Sequence, residues 1–201
     1  MELYASKVIS VAMNEVGYLE KRTNAQLYDK TANAGTNNYT KYANDIDTKY
    51  PNFYNGKKNG YAWCDVFVDW CFIQAFGVDN AKKLLNQPDK SLGAGCGYSA
   101  NYFKQIGRFF TSPQVGDQIF FGNASNVKHT GLVYAVDRYK VYTIEGNTSG
   151  ASGVIANGGG VCKKSYDINS NSIYGYGRPN YDIEEVKGTM KYRVHQQTYG
   201  W

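Results

Sequence analysis

No stretch of this chain approaches the roughly 20 consecutive apolar residues that cross a bilayer, so no membrane-spanning segment is expected. Residues 1–21 lack a basic start followed by an unbroken apolar run, and no secretory signal is visible. The four cysteines (Cys64, Cys71, Cys96 and Cys162) form neither a CxxC pair nor a His/Cys cluster. That argues against a structural zinc site. Their even number permits disulfides, but their spacing makes no dense framework. Histidine occurs only as His129 and His195, so any Cys–His chemistry has few partners. Lysines and arginines fall in scattered pairs, with no basic helix or nucleic-acid motif, so nucleic acid is not an expected partner.

What is present is a globular composition. Hydrophobic residues make up 42% and charged residues 19% of 201 residues, the size of one domain with a short tail. The net charge of +5 suits solubility, and it also suits anionic surroundings such as a cell wall. Nineteen tyrosines and 22 glycines fit a loop-rich β surface that contacts sugars or peptides.

The periodicity predicts helices first and a sheet afterwards, which is α+β ordering. Residues 4–18 read as an amphipathic helix stopped by Gly17. Residues 20–60 are polar and read as a long loop of the kind used to bind or to cover. From Tyr61 to Phe72 the chain turns apolar. Phe67, Val68, Cys71, Phe72 and Ala75 recur at helical spacing up to Gly77, predicting a buried helix of about 12 residues with Cys64 at its start. A second helix is expected over residues 99–106. Residues 118–121, 129–136 and 140–145 then read as an antiparallel meander, and residues 173–177 as a further strand. Residues 183–188 resemble a charged linker. The aromatic end, residues 192–201, suggests the beginning of another module.

Cys64 has two readings. A free cysteine is often a small buried hydrophobe. At a helix N-terminus, however, the free N–H groups and the helix dipole stabilise a thiolate nucleophile. Cys71, two turns further on in the apolar run, reads as structural. His129, at the start of a strand, is either a hydrogen-bonded edge histidine or the base that takes the thiol proton. Counting inward from the Asp137–Arg138 turn brings Glu145 near His129, where it could fix the ring and its tautomer. Asp65 adds a carboxylate beside the thiol, which would raise the thiol pKa if ionised. Nucleophile on a helix start, base on one strand and orienter on the next is the geometry of papain-type catalysis.

These residues, taken in order, resemble the CHAP domain, the cysteine, histidine-dependent amidohydrolase/peptidase family within the NlpC/P60-like superfamily. Residues 61–71 resemble its nucleophile helix and residues 113–121 its PxxGD strand entry. His129-Thr130-Gly131-Leu132-Val133 resembles its histidine strand, Ile144-Glu145-Gly146-Asn147 its EGN element, and Tyr176-Gly177-Arg178-Pro179 its closing strand. The resemblance implies a papain-like catalytic domain over residues 1–182. It makes Cys64 the nucleophile, His129 the base, Glu145 the orienter and Asn147 a fourth polar residue of the site. It implies a hydrolase that cleaves an amide bond of bacterial peptidoglycan as a monomer, outside the cell or at the wall, as a phage endolysin or a bacterial autolysin. The alternatives are a conjugation-associated wall hydrolase and a wall-binding module without catalysis. Some members hold calcium just before the cysteine, but residues 52–61 contain no acidic side chain here. No metal or cofactor is therefore expected, and Asp45 and Asp47 are the remaining pair of oxygen ligands. Residues 192–201 resemble the start of a clostridial hydrophobic (ChW) repeat, a wall- or surface-attachment module. His195 would then belong to that module.

Overall fold

The computed structural model describes residues 2–182. The expected linker and repeat start, with His195, lie outside the described residues. Among the described residues five helices precede the sheet: α1 (Glu2–Glu15), α2 (Lys41–Lys49), α3 (Cys64–Phe76), α4 (Val78–Leu85) and α5 (Cys96–Gln105). Six strands follow: β1 (Phe109–Phe110), β2 (Gln118–Asn123), β3 (Asn126–Val136), β4 (Lys140–Thr148), β5 (Gly160–Asp167) and β6 (Ile173–Gly177). They form one antiparallel sheet in the order β1-β6-β2-β3-β4-β5. This is an α+β fold of the papain-like kind, with Cys64 opening α3.

The apolar run of α3 has no polar face, and a helix that is hydrophobic all round must be enclosed. Eleven of its 13 residues are buried, which makes it the centre of the domain. It lies among α1, α2 and α4 and packs against β3 and β4. Fully buried side chains such as Phe67 and Phe72 each contribute about 1.5–3 kcal/mol through the apolar surface they remove from water. Alternation along β2 sends Phe120 into this core. Ile119 and Phe121 enter a second, smaller cluster with Val133, Val141, Tyr166 and Tyr176. Two of the sequence motifs meet in a clasp. Arg178, just after β6, donates from Nε and Nη2 to the two carboxylate oxygens of Asp117, just before β2, both at 2.9 Å. Paired donation of this kind fixes geometry as well as adding energy.

Several elements depart from the sequence reading. The supposed loop of residues 20–60 contains α2. Thr40 caps it by accepting from the Ala43 N–H at 3.2 Å, and Tyr42, Ala43 and Ile46 form its buried side. Its polar residues hid that narrow stripe. The 20–60 segment is also pinned by short bridges, Lys21 pairing with both Ala34 and Tyr39. Helix α4 continues directly from Gly77. Helix α5 begins three residues earlier than expected, at Cys96. Strand β5 escaped notice because it is the last strand of the sheet: β4 is its strand neighbour, only a short bridge from Leu19 to Gly160 meets its other side, and its burial is interrupted by exposed polar residues.

Candidate active site

Cys64 is the first residue of α3, and no side chain caps the helix. The first amide N–H groups therefore stay available to an anion at Cys64. The preceding residue is held firmly. The Trp63 indole N–H donates to Glu20 Oε2 at 2.8 Å, and the ring packs against Tyr42 with centroids 5.5 Å apart. The segment around residue 20 thus buttresses the start of the nucleophile helix.

His129 and Glu145 are both fully buried, with His129 Nε2 at 2.9 Å from Glu145 Oε2. The strands do not set them directly opposite. Leu132 pairs with Ile144, and an irregularity between Val133 and Ala135 shifts the register nearer the turn. Glu145 lies one step beyond Ile144, beside Gly131, and the two side chains meet diagonally. Glu145 is gripped from other directions too. Thr143 Oγ1 donates to Oε1 at 2.5 Å and the Tyr166 hydroxyl to Oε2 at 3.1 Å. Phe121 stacks on the imidazole with centroids 5.8 Å apart.

Two motif glycines make room for this arrangement. A Cβ on Gly131 would stand 2.5 Å from Glu145 Cγ, and one on Gly146 would stand 2.6 Å from Phe67 Cβ. Neither distance is tolerable for a carbon contact. Gly131 leaves space for the carboxylate, and Gly146 lets β4 approach α3.

With Nε2 on Glu145, Nδ1 is the ring nitrogen left for Cys64. It has no hydrogen-bond partner among the described residues, as catalytic nitrogens often lack one before substrate arrives. The charges are coupled nonetheless. A hydrogen bond from Cys96 is the main influence holding the Cys64 thiol well below its usual pKa; burial opposes this, while His129 and the Asp65 backbone N–H assist. Burial works against a charge on His129, but Cys64 and Glu145 outweigh it and raise the imidazole to about 9. The two shifts run in opposite senses, toward a thiolate facing an imidazolium.

Cys96 is the residue the sequence reading missed. Its Sγ lies 3.4 Å from Cys64 Sγ, and both residues are buried. The hydrogen bond to Cys64, together with burial, pushes its own thiol pKa well up, so it is the donor of the pair. Nothing local in the sequence marks it, because 32 residues separate the two cysteines.

Asp65 does not act as the neighbouring charge its position suggested. It is fully buried, and burial followed by repulsion from Asp69 lifts its carboxyl well above the usual range. The hydrogen bonds agree. Ser99 Oγ lies 2.7 Å from Asp65 Oδ2 and 2.9 Å from the Gly93 carbonyl oxygen. One hydroxyl proton serves only one of them, and a carbonyl cannot donate. A protonated Asp65 completes both contacts. Gln118 Nε2 donates to its other oxygen at 2.7 Å. Below it, Asp69 accepts from the Tyr54 hydroxyl and from Gln87 Nε2, and burial lifts its pKa to about 7.

Asn147 is buried two residues beyond Glu145, in left-handed backbone at φ 55°. Its Oδ1 accepts from the Gly159 N–H at 3.4 Å, and its Nδ2 has no partner among the described residues. It is not hydrogen-bonded to Cys64, His129 or Glu145. Asp45 accepts from Tyr28 and Trp70 and pairs with Lys49, while Asp47 accepts from the Lys58 and Asn59 N–H groups. Their carboxylates are engaged by the protein's own donors.

A surface pocket of about 340 Å³ reaches Cys96 and is lined also by Tyr98, Asn101, Lys104 and Ser125. A wider apolar groove of about 790 Å³ beside α1, lined by Ile9, Met13 and Tyr134, touches none of the site residues.

Residues 56–147 match the family model of the CHAP domain. No curated protein matches the chain. Among solved structures, the crystal structure of Ly7917 is similar to it at 12% identity with a TM-score of 0.49, over 87% of this chain and 62% of that one. This chain therefore spans less than two thirds of that chain's length.

Proposed function

We propose that the CHAP domain of this chain makes it a cysteine amidase or peptidase that opens an amide bond in peptidoglycan peptides. The family is one of peptidoglycan amidases and peptidases. The observation that carries the reading is a thiol at a helix N-terminus beside a histidine whose far nitrogen is held by a buried carboxylate. In the proposed cycle the Cys64 thiolate attacks the amide carbon. An S–C bond forms and the carbonyl electrons move to oxygen, where the Cys64 backbone N–H helps to stabilise the oxyanion. His129 gives its proton to the leaving amine as the C–N bond breaks. Water then attacks the thioester, with His129 taking a proton from it, and Cys64 leaves as thiolate. Glu145 keeps the imidazole aligned throughout. Asn147 is offered as a polar residue that supports the strand end beside the site.

The mild positive charge and the exposed Tyr28, Tyr61, Tyr98 and Tyr139 support an extended anionic substrate reached outside the cell or at the wall. A phage endolysin or a bacterial autolysin is the role that fits. The test is digestion of purified peptidoglycan by the wild-type chain and by Cys64→Ala, with the fragments identified by mass spectrometry. Fragments from the wild type alone support the reading, and their new chain ends name the bond. Folded but inactive wild type on walls from several bacteria points instead to a wall-binding module.

A further inference from the structure

Cys96 forms and breaks no bond in the hydrolytic cycle, where its hydrogen bond only helps to hold Cys64 as a thiolate, yet it is the thiol that touches Cys64. Both cysteines open a helix, Cys64 at the start of α3 and Cys96 at the start of α5. Their sulfurs are 3.4 Å apart, against about 2.0 Å in a disulfide, so about 1.4 Å of side-chain movement would join them. The other cysteines are not placed to compete. Cys71 lies two turns down α3 in the core, and Cys162 sits on β5 in register with Glu145. The surface pocket opens at Cys96, whose sulfur is 3.4 Å from that of Cys64.

We propose that Cys64 and Cys96 are a redox modification site: hydrogen peroxide converts them to a reversible disulfide, with Cys96 as the resolving thiol. In the first step the Cys64 thiolate attacks one peroxide oxygen. An S–O bond forms, the O–O bond breaks, and hydroxide leaves and is protonated to water. The Cys64 sulfur is oxidised to a sulfenic acid and the peroxide is reduced. In the second step the Cys96 sulfur attacks the Cys64 sulfur. An S–S bond forms, the S–O bond breaks, and the departing hydroxide takes the Cys96 proton as water. Two thiols and one peroxide give one disulfide and two waters. A dithiol reductant returns both thiols by exchange. The disulfide occupies the sulfur proposed above as nucleophile, so the protein is silenced but protected. Without Cys96, the sulfenic acid is open to further oxidation, which thiol reductants do not reverse.

The crosslink does not depend on the hydrolase reading; only the loss of hydrolysis does. The experiment treats the full chain with hydrogen peroxide and maps its peptides by mass spectrometry without reduction. The expected product is a Cys64 peptide joined to a Cys96 peptide with the loss of two hydrogens, separated again by dithiothreitol. Cys96→Ser, checked for folding by circular dichroism, should give Cys64 as sulfinic and sulfonic acid at the same peroxide dose. Measured against each protein's own untreated rate, wall digestion by peroxide-treated wild type should return after dithiothreitol, and that of treated Cys96→Ser should not. Wild-type Cys64 found as sulfinic acid with Cys96 free overturns the proposal. So does Cys64 joined to Cys162 or to a second chain, or both thiols left unmodified by excess peroxide. The wild-type map alone decides if the variant does not fold. If the crosslink forms in a protein that never digests walls, the hydrolase reading falls and the redox pair stands.

Discussion

Replacing Cys64 with alanine tests the charge coupling at the site directly, because it removes the thiolate and leaves Glu145 in place. His129 is raised from 6.5 to about 9 although its burial opposes a charge. That corresponds to roughly 3 kcal/mol in favour of imidazolium. Cys64 and Glu145 together supply it. With Cys64 gone, burial acts against Glu145 alone, and the His129 pKa should fall by at least about one pH unit. Imidazole NMR can read this cleanly. The chain has two histidines, and His195→Gln leaves His129 as the only one. The same coupling sets the pH profile of the wild type. Hydrolysis should be level around neutrality. It should fall as acid protonates Cys64, and fall again as pH rises through about 9 and His129 loses the proton meant for the leaving amine. Stability follows a related rule. Taken singly, His129 stabilises the fold fully below pH 6.5 and loses that contribution as pH rises toward 9. Cys64, held below its unfolded value, contributes above that value and loses its share as pH falls. Where the folded pair is thiolate and imidazolium and the unfolded pair is neutral, both states hold one proton, so this pair should add no slope to stability there. A wild-type His129 titrating near 6.5, or one that stays at about 9 in Cys64→Ala, would refute the thiolate–imidazolium assignment.

Three further outcomes follow from particular contacts. Glu145→Gln keeps the shape but removes a charged hydrogen bond of about 1.5–3 kcal/mol. Wall digestion should slow by roughly 10- to 100-fold, and the alkaline limb of its pH profile should move to lower pH. Gly131→Ala forces a methyl to within 2.5 Å of Glu145 Cγ and 3.0 Å of the Ile144 carbonyl oxygen. Calorimetry should find a loss of about 1–3 kcal/mol, with a matching drop in hydrolysis as Glu145 is displaced. An unchanged melting temperature would mean that β4 yields more easily than its packing implies. Asp65→Asn mimics a protonated carboxyl, so at neutral pH it should cost less than about 1 kcal/mol in chemical denaturation. Asp65→Ala removes one hydrogen-bond partner from each of Ser99 and Gln118 and should cost about 1–3 kcal/mol. Equal losses for the two variants would count against a neutral Asp65.

The features legible in the amino-acid order were local or ran in sequence along the chain. The apolar run ending at Gly77 specified α3 and put Cys64 at its start, because helical periodicity and helix ends are properties of neighbouring residues. The β-branched and aromatic runs specified β2, β3, β4 and β6 for the same reason. The order of motifs was enough to name Cys64, His129 and Glu145 together. The weak points were elements whose signal is diluted, namely α2 with its narrow buried stripe and β5 at the sheet edge. Tertiary structure alone decided the rest. The crossing of α5 against α3 brings Cys96 to Cys64 over a separation of 32 residues. Burial decides that Asp65 is neutral rather than a charge beside the thiolate, since ionisation depends on what surrounds a carboxyl and not on its place in the chain. The roles of Gly131 and Gly146 appear only once β4 has a carboxylate on one side and a helix on the other. Which atoms fill the space around a residue is fixed by how separate elements pack, and no local pattern encodes it.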